Sequence, residues 1–240
     1  KQSKIAINKV LNLFYKKKNN GILDKGMKGE IIFKNLSYSF NDEKNVLENI
    51  NLKIEKNSKV MVIGSSGSGK STLFKILKKY YDIPRNQVYI DNIDINDYQK
   101  SNIVYVSQNE ILFSDTIYNN IDSNNIINIS KICLVDEIIK NNQLGYNMLI
   151  EENGFNLSGG EKQRIILARA LACDFDIIII DEGLSQVDNN MERMIIKNLF
   201  KNYSNKTIIF ISHRLDNMDL FDKVIKIEKG KIVDDLFKNV

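Results

Sequence analysis

Val60-Met61-Val62-Ile63-Gly64-Ser65-Ser66-Gly67-Ser68-Gly69-Lys70-Ser71-Thr72 decides how the rest of this chain is read. The first four residues are a short apolar run of the kind that fills a buried strand. The next eight, Gly64 to Ser71, fit G-x-x-x-x-G-K-[ST], and with Thr72 they open a segment from about Lys70 to Tyr80 with helical patterning. In that context the glycines let backbone N–H groups wrap phosphate oxygens. Lys70 is expected to reach the β- and γ-phosphates of a nucleotide, and the Ser71 hydroxyl to ligate Mg²⁺. Gly64, Ser65, Ser66, Gly67, Ser68, Gly69, Lys70, Ser71 and Thr72 are therefore candidate nucleotide-binding residues. A Gly/Ser surface loop would explain the composition, but not the Lys-Ser pair set between those two flanking elements.

Outward from the loop, Glu30–Phe40 and Val46–Ile54 alternate like strands and are joined by a polar turn at Asn41–Asn45. Val88–Ile90, Ile103–Val106, Ile177–Ile180 and Thr207–Ile211 read as further strands, and Val224–Ile227 with Lys231–Val233 as a terminal hairpin. Residues 111–172 read as mostly helical, with a Ser/Asn-rich break at Asp122–Asn128, and Met191–Phe200 as a later helix. Strand and helix alternating around an inserted helical block predict an α/β sheet with a helical subdomain. Residues 1–20 read as a short amphipathic helix ending in Lys16-Lys17-Lys18.

The 240 residues are 43% hydrophobic and 27% charged, enough for one large domain or a core plus a subdomain. A net charge of +4 is weak support for nucleic-acid binding, and none is expected. Cys133 and Cys173 lack metal-ligand spacing and are expected as reduced thiols in or near the core. No stretch reaches the roughly 18 to 20 apolar residues of a membrane span. The first residue is Lys1 rather than Met, so an excised piece of a longer protein is expected.

Two further constellations point to the same chemistry. Ile177-Ile178-Ile179-Ile180-Asp181-Glu182 is an apolar strand ending in two acids. Asp181 would hold Mg²⁺ through water, and Glu182 would polarise the attacking water. His213, the only histidine, follows the apolar strand ending at Ile211-Ser212. Ligands of open α/β sheets gather at the carboxyl edge toward which such strands run.

Leu157-Ser158-Gly159-Gly160-Glu161-Lys162-Gln163-Arg164 begins a helix, with Ser158 as N-cap and Glu161 where a capping box wants an acid. Two glycines in a first turn are costly to a helix but useful where something large approaches the backbone. A helix N-terminus is an anion site. The octamer resembles the signature motif of ABC ATPases, and the other motifs follow in that family's order over residues 30–235. The resemblance makes Asp181 and Glu182 the Walker B aspartate and catalytic glutamate. It makes His213 the switch histidine that contacts the γ-phosphate, and Gln108 the Q-loop residue that touches Mg²⁺ and the water. Leu184-Ser185-Gln186-Val187-Asp188 is similar to the D-loop, with Asp188 as its aspartate. Phe40 aligns with the aromatic that stacks on adenine; Tyr38 is the other candidate, on the same strand face, and core packing is an alternative for both. Ile111-Leu112-Phe113-Ser114-Asp115-Thr116-Ile117-Tyr118-Asn119-Asn120-Ile121 is similar to the exporter form of its segment, L-F-x-x-T-I-x-x-N-I.

The resemblance implies a P-loop NTPase core with an antiparallel β subdomain and an inserted helical subdomain at about 111–172. Residues 1–29 would be a connector from a transmembrane domain, and 30–240 the ABC ATPase domain. It implies ATP and Mg²⁺ as cofactors and a second copy, or a homologous ABC domain, as partner. Each ATP would be held between one Walker A loop and the other copy's Ser158, Gly159 and Gly160. An exporter's membrane domain, fused or separate, would place the chain on the cytoplasmic face of the membrane. A peptide or bacteriocin cargo is expected on overall resemblance, with lipids and drugs as other classes. Phe40 in place of the commoner Tyr, Gln186 in place of a small residue, Leu149 in place of an acid and a shortened Asp94–Asn102 depart from the pattern. A soluble ABC ATPase of DNA repair or translation and a non-hydrolysing regulatory ATP-binding module are the alternatives.

Overall fold

Ile177–Ile180 is apolar on both sides because its strand runs through the middle of a sheet covered on both faces. The computed structural model describes residues 27–40, 45–98 and 102–237. Its strands are β1 Ile31–Tyr38, β2 Leu47–Ile54, β3 Lys59–Ile63, β4 Val88–Ile90, β5 Ile93–Asp94, β6 Ile103–Val106, β7 Ile177–Asp181, β8 Thr207–Ile211, β9 Lys223–Glu228 and β10 Lys231–Phe237. Its α-helices are α1 Lys70–Lys75, α2 Ile117–Ile121, α3 Ile126–Ile132, α4 Val135–Lys140, α5 Gly159–Leu171 and α6 Asn189–Asn202.

Six strands form a sheet in the order β10-β9-β3-β8-β7-β6, parallel except for the β9–β10 hairpin. Successive residues of its central strands feed two different cores. Val60, Val62, Ile177, Ile179, Ile209 and Ile211 join a core with Phe33 and Phe74, toward a four-stranded antiparallel sheet ordered β2-β1-β4-β5. Met61, Ile178, Ile180, Ile208 and Phe210 join the other, with Ile165 and Leu167 of α5 and Ile195 and Leu199 of α6. The architecture is the expected α/β fold with an antiparallel β layer and a block of helices between β6 and β7.

The segment leading into β1 is tied at two points. Asp91 accepts from the backbone N–H groups of Lys28 and Glu30 at 2.6 and 2.9 Å. The Thr207 hydroxyl at the start of β8 donates to the Gly29 carbonyl at 2.8 Å. A Cβ on Gly29 would lie 2.6 Å from that hydroxyl oxygen.

The structure departs from the local sequence pattern in several places. The helix expected to Tyr80 ends at Lys75 and tightens into a 3-10 turn at Ile76–Lys78, closed by Lys79 at φ 55°. Lys78 turns its ammonium onto the Ile103 carbonyl at 2.8 Å, bracing that turn against β6. Residues 111–172 are less helical than expected, because 141–158 form turns closed by Gly145 and Gly154 at positive φ and a bridge between Thr116 and Leu149. Within the break expected at Asp122–Asn128, α3 already begins at Ile126, whose side chain is buried. Cys133 is buried as expected, whereas Cys173 is exposed, one residue past the α5 C-cap. The expected helix at 1–20 and residues 41–44 of the expected turn lie outside the described residues.

Candidate functional site

The carboxyl ends of β3, β7 and β8 bring Lys70, Asp181, Glu182 and His213 to one edge. After β3 the loop turns back through Gly64 at φ 149°, where a Cβ would stand 2.0 Å from the Ile227 carbonyl oxygen. Gly69, at φ 102°, would press a Cβ to 2.9 Å from the Val46 carbonyl oxygen. Both positions are closed to any side chain, because the loop backbone packs against Ile227 of β9 and against Val46 and Leu47 at the start of β2. Lys70 is 5% exposed and donates to the Gly64 and Ser65 carbonyls, both at 2.8 Å. Burial pulls its pKa below the usual lysine value, against the pull of Glu182 and Asp181.

Glu182 sits at φ 54°, a backbone conformation costly to a residue with a Cβ and concentrated at functional sites. Its N–H donates to the Ile211 carbonyl at 3.0 Å. Its carboxylate Oε1 meets Nε2 of His213, which is 43% exposed at its side chain against 19% for Glu182. Asp181 is nearly buried and accepts from the Tyr105 hydroxyl on Oδ2 at 2.5 Å. The Ser71 hydroxyl is a neighbour of the same phenol and interacts with it. Burial, reinforced by Asp181, pushes the Tyr105 pKa well above the usual tyrosine range, so the group is a donor.

Gln108 is not hydrogen-bonded to Ser71 or Asp181. It lines a cleft of about 300 Å³ with Glu110, Gly159, Gln163 and Gln186. Phe40 is half exposed and packs edge-on to Tyr38 and Tyr81, with centroids 5.2 and 5.3 Å away. The two candidate aromatics are thus neighbours in one cluster beside the loop's β layer, and Tyr81 is a third member.

The capping box forms as expected: the Ser158 N–H donates to Glu161 at 2.8 Å, and the Glu161 N–H donates to the Ser158 hydroxyl at 3.3 Å. The two glycines have a use inside the chain. A Cβ on Gly159 would stand 1.8 Å from Gln186 Oε1, and one on Gly160 would stand 3.0 Å from the Gln186 carbonyl oxygen. The segment 184–188 therefore lies directly on the start of α5. Gln163 fastens it there, accepting from the Gln186 N–H at 2.7 Å and donating to the Ser185 hydroxyl at 3.0 Å. Arg214 fastens it from the other side, donating to the Val187 and Ser185 carbonyls at 2.7 and 2.5 Å and to the buried Glu192 at 3.1 Å. Asp188 is exposed and N-caps α6 through the Asn190 N–H at 2.9 Å.

Sequence reasoning did not single out Tyr81, Tyr105, Gln163 or Arg214. Gln163 and Arg214 had a readable signal, since one stands inside the octamer and the other beside the only histidine.

A groove of about 530 Å³ runs between Phe113 and α5, lined by Val104, Tyr105, Ile111, Phe113, Ile166 and Ala170. Phe113 is 66% exposed. Asn120 holds the segment in place, donating to the Phe113 and Thr116 carbonyls at 3.0 Å and accepting from the Phe113 N–H at 2.9 Å.

A family model described as ABC transporter matches residues 47–185, more than half of the chain. The ATP-dependent lipid A-core flippase of Wigglesworthia glossinidia brevipalpis is 39% identical over 221 residues, covering 86% of this chain and 38% of that protein. The protein of the same name from Legionella pneumophila (strain Paris) is 35% identical over 229 residues, covering 90% of this chain and 39% of that protein. The chain thus spans about two fifths of the length of these curated relatives. Among solved structures, a bacterial Atm1-family ABC exporter with ATP bound superposes with a TM-score of 0.83 at 25% identity, over 98% of this chain and 44% of that one.

Proposed function

The chain belongs to the ABC transporter family as an ATPase domain, and from that premise we propose that it powers export across a membrane by hydrolysing ATP in a head-to-tail pair. The observation that carries this reading is the meeting of Lys70, Asp181, Glu182 and His213 at the carboxyl edge of one parallel sheet. In this reading Gly64–Thr72 wraps the phosphates, and Lys70 leaves its loop carbonyls to neutralise charge on the β- and γ-oxygens. Glu182 holds the attacking water and draws its proton, and His213 turns from Glu182 to the γ-phosphate. Phe40, within its aromatic cluster, stacks on the base.

Ser71 and Asp181 fit a magnesium site as hard oxygen donors gathered about one phenol. Among the described residues no group of three or more His, Cys, Asp or Glu could hold a metal alone, so nucleotide phosphates would complete the set. Magnesium bound there neutralises charge on the β- and γ-phosphates. Gln108 would close on the site from its cleft.

The pocket at Ser158, Gly159 and Gly160 is walled by Gln186, Asp188 and Met191, with no residue of the phosphate loop. That separation supports a composite site in which the signature end of one copy meets the nucleotide of another, with Asp188 near the joint. Residues 1–29 serve as the connector and 30–240 as the ATPase domain, with the helical subdomain at about 111–172. The exposed Ile111 and Phe113 beside the groove support docking of a membrane domain there, and in this reading the chain works at the cytoplasmic face. Among the described residues no helix is long and apolar enough to cross a membrane. The relatives named for lipid A-core flipping support an amphipathic lipid as cargo over a peptide or bacteriocin.

Glu182→Gln tests the core of this reading. Phosphate release should fall by at least about 100-fold, while binding of a fluorescent ATP analogue persists. Turnover at the unsubstituted rate would refute the role of Glu182.

A further inference from the structure

We propose that Tyr105 is a positioning residue that presets the magnesium-binding pair, Ser71 and Asp181, before nucleotide arrives; the proposal rests on the functional reading above. Ser71 lies on α1 and Asp181 at the end of β7, so two separately folded elements must agree on the placement of two oxygens. Tyr105 stands between them on β6. Its parallel pairing sets it opposite Ile179, two residues before Asp181. That distance along a strand is about 6.6 Å, which the ring and hydroxyl of a tyrosine leaning along the strand can span. The hydroxyl donates to Asp181 Oδ2 at 2.5 Å, and Ser71 is a neighbour of the same phenol. Asp181 Oδ1 makes no hydrogen bond among the described residues and is the oxygen left to face a metal-bound water.

Tyr80 meets the ring edge-on with centroids 6.5 Å apart, and the ring forms part of the wall of the Phe113 groove. A carboxylate pinned by a charge-assisted hydrogen bond loses little rotational freedom when a metal binds, and this is the gain of preorganisation. Removing the hydroxyl alone should leave nucleotide binding intact and weaken only the part of it that magnesium adds.

The test is a titration of the chain with N-methylanthraniloyl-ATP in EDTA and at graded Mg²⁺. For Tyr105→Phe, binding in EDTA should match the unsubstituted chain within about twofold. The Mg²⁺ concentration giving half of the metal-dependent enhancement should rise about tenfold, the scale of one hydrogen bond to a charged group. Asp181→Asn should lose most of the enhancement, and adding Tyr105→Phe to it should change nothing further. A thermal unfolding midpoint near that of the unsubstituted chain confirms that Phe keeps the ring packed. Should that midpoint collapse, Tyr105→His, a smaller ring with a donor of shorter reach, takes its place, with the same shift expected. An unchanged Mg²⁺ curve in the folded variant overturns the proposal and leaves the functional reading standing. Failure of the unsubstituted chain to bind the analogue overturns both.

Discussion

His213 and Glu182 hold each other: Nε2 of the histidine meets Oε1 of the glutamate, while the Glu182 backbone is kept at φ 54°. The pair links the ends of β8 and β7 through side chains as well as through the Glu182 N–H on the Ile211 carbonyl. The histidine therefore has two tasks in the proposed cycle, restraining Glu182 beforehand and meeting transferred charge afterwards. His213→Ala should lower phosphate release by roughly 100-fold or more, the usual cost of losing one preorganised donor, with the apparent affinity for nucleotide changed little. A variant with normal turnover would remove His213 from the mechanism.

Gly159 and Gly160 face different atoms of one residue, and the difference is measurable. A methyl at Gly159 meets chiefly the far end of the Gln186 side chain, with its Cβ at 3.3 Å, whereas one at Gly160 meets a backbone oxygen. Turnover should drop about tenfold in Gly159→Ala, equivalent to about 1.4 kcal/mol, and Gln186→Ala in the same chain should recover most of it. The loss in Gly160→Ala should not be recovered by Gln186→Ala. Equal recovery of both would contradict the packing of residues 184–188 on α5.

Arg214 stabilises the buried Glu192 and two backbone carbonyls at once. Burial already raises the Glu192 pKa, and Arg214 opposes that rise. Arg214→Ala strands a buried carboxylate and should cost about 3 kcal/mol, read as a lower urea midpoint. Arg214→Ala combined with Glu192→Gln should lose less than the single change. A double variant no more stable than the single would show that the ion pair carries little of the effect.

Lys59 is buried, with its ammonium on the carbonyls of Asn57, Tyr203, Ser204 and Lys206. Burial pulls its pKa from an ordinary 10.5 to about 8, against the pull of Asp222. Between those pH values the unfolded chain binds the proton and the folded chain does not, so this group's contribution makes stability rise with pH from about 8 toward 10.5. Urea unfolding across that window should show the rise in the unsubstituted chain and a flatter profile in Lys59→Met. Parallel profiles would exclude the shift.

The phosphate loop, Asp181-Glu182 and the signature octamer were legible because each is a run of adjacent residues whose chemistry is local. The central strands were legible for a related reason: burial on both faces writes an unbroken apolar run. Tyr105 was not, since its partner Asp181 stands 76 positions away and a tyrosine in a strand reads equally well as packing. The Arg214 contacts span 22 to 29 positions and depend on how β8 and β7 align. The 3-10 turn after Lys75 and the early start of α3 at Ile126 were set by tertiary burial overriding local pattern. The glycines of the octamer were read toward an outside phosphate, and Gln186 adds a crowding within the chain that only the fold brings to them.

Strand β8 is gripped at both ends. Its first residue, Thr207, holds the Gly29 carbonyl, and the chain leaves its last residue, Ile211, about 13 Å along the strand, toward His213. A pull on residues 28–30 would load β8 lengthwise, against hydrogen bonds to β3 on one side and β7 on the other. A buried parallel strand yields little to such shear. Tension at the far end of the sheet would reach the histidine as displacement, making β8 a tie rod between the place where the chain enters the fold and the edge where the nucleotide would be held.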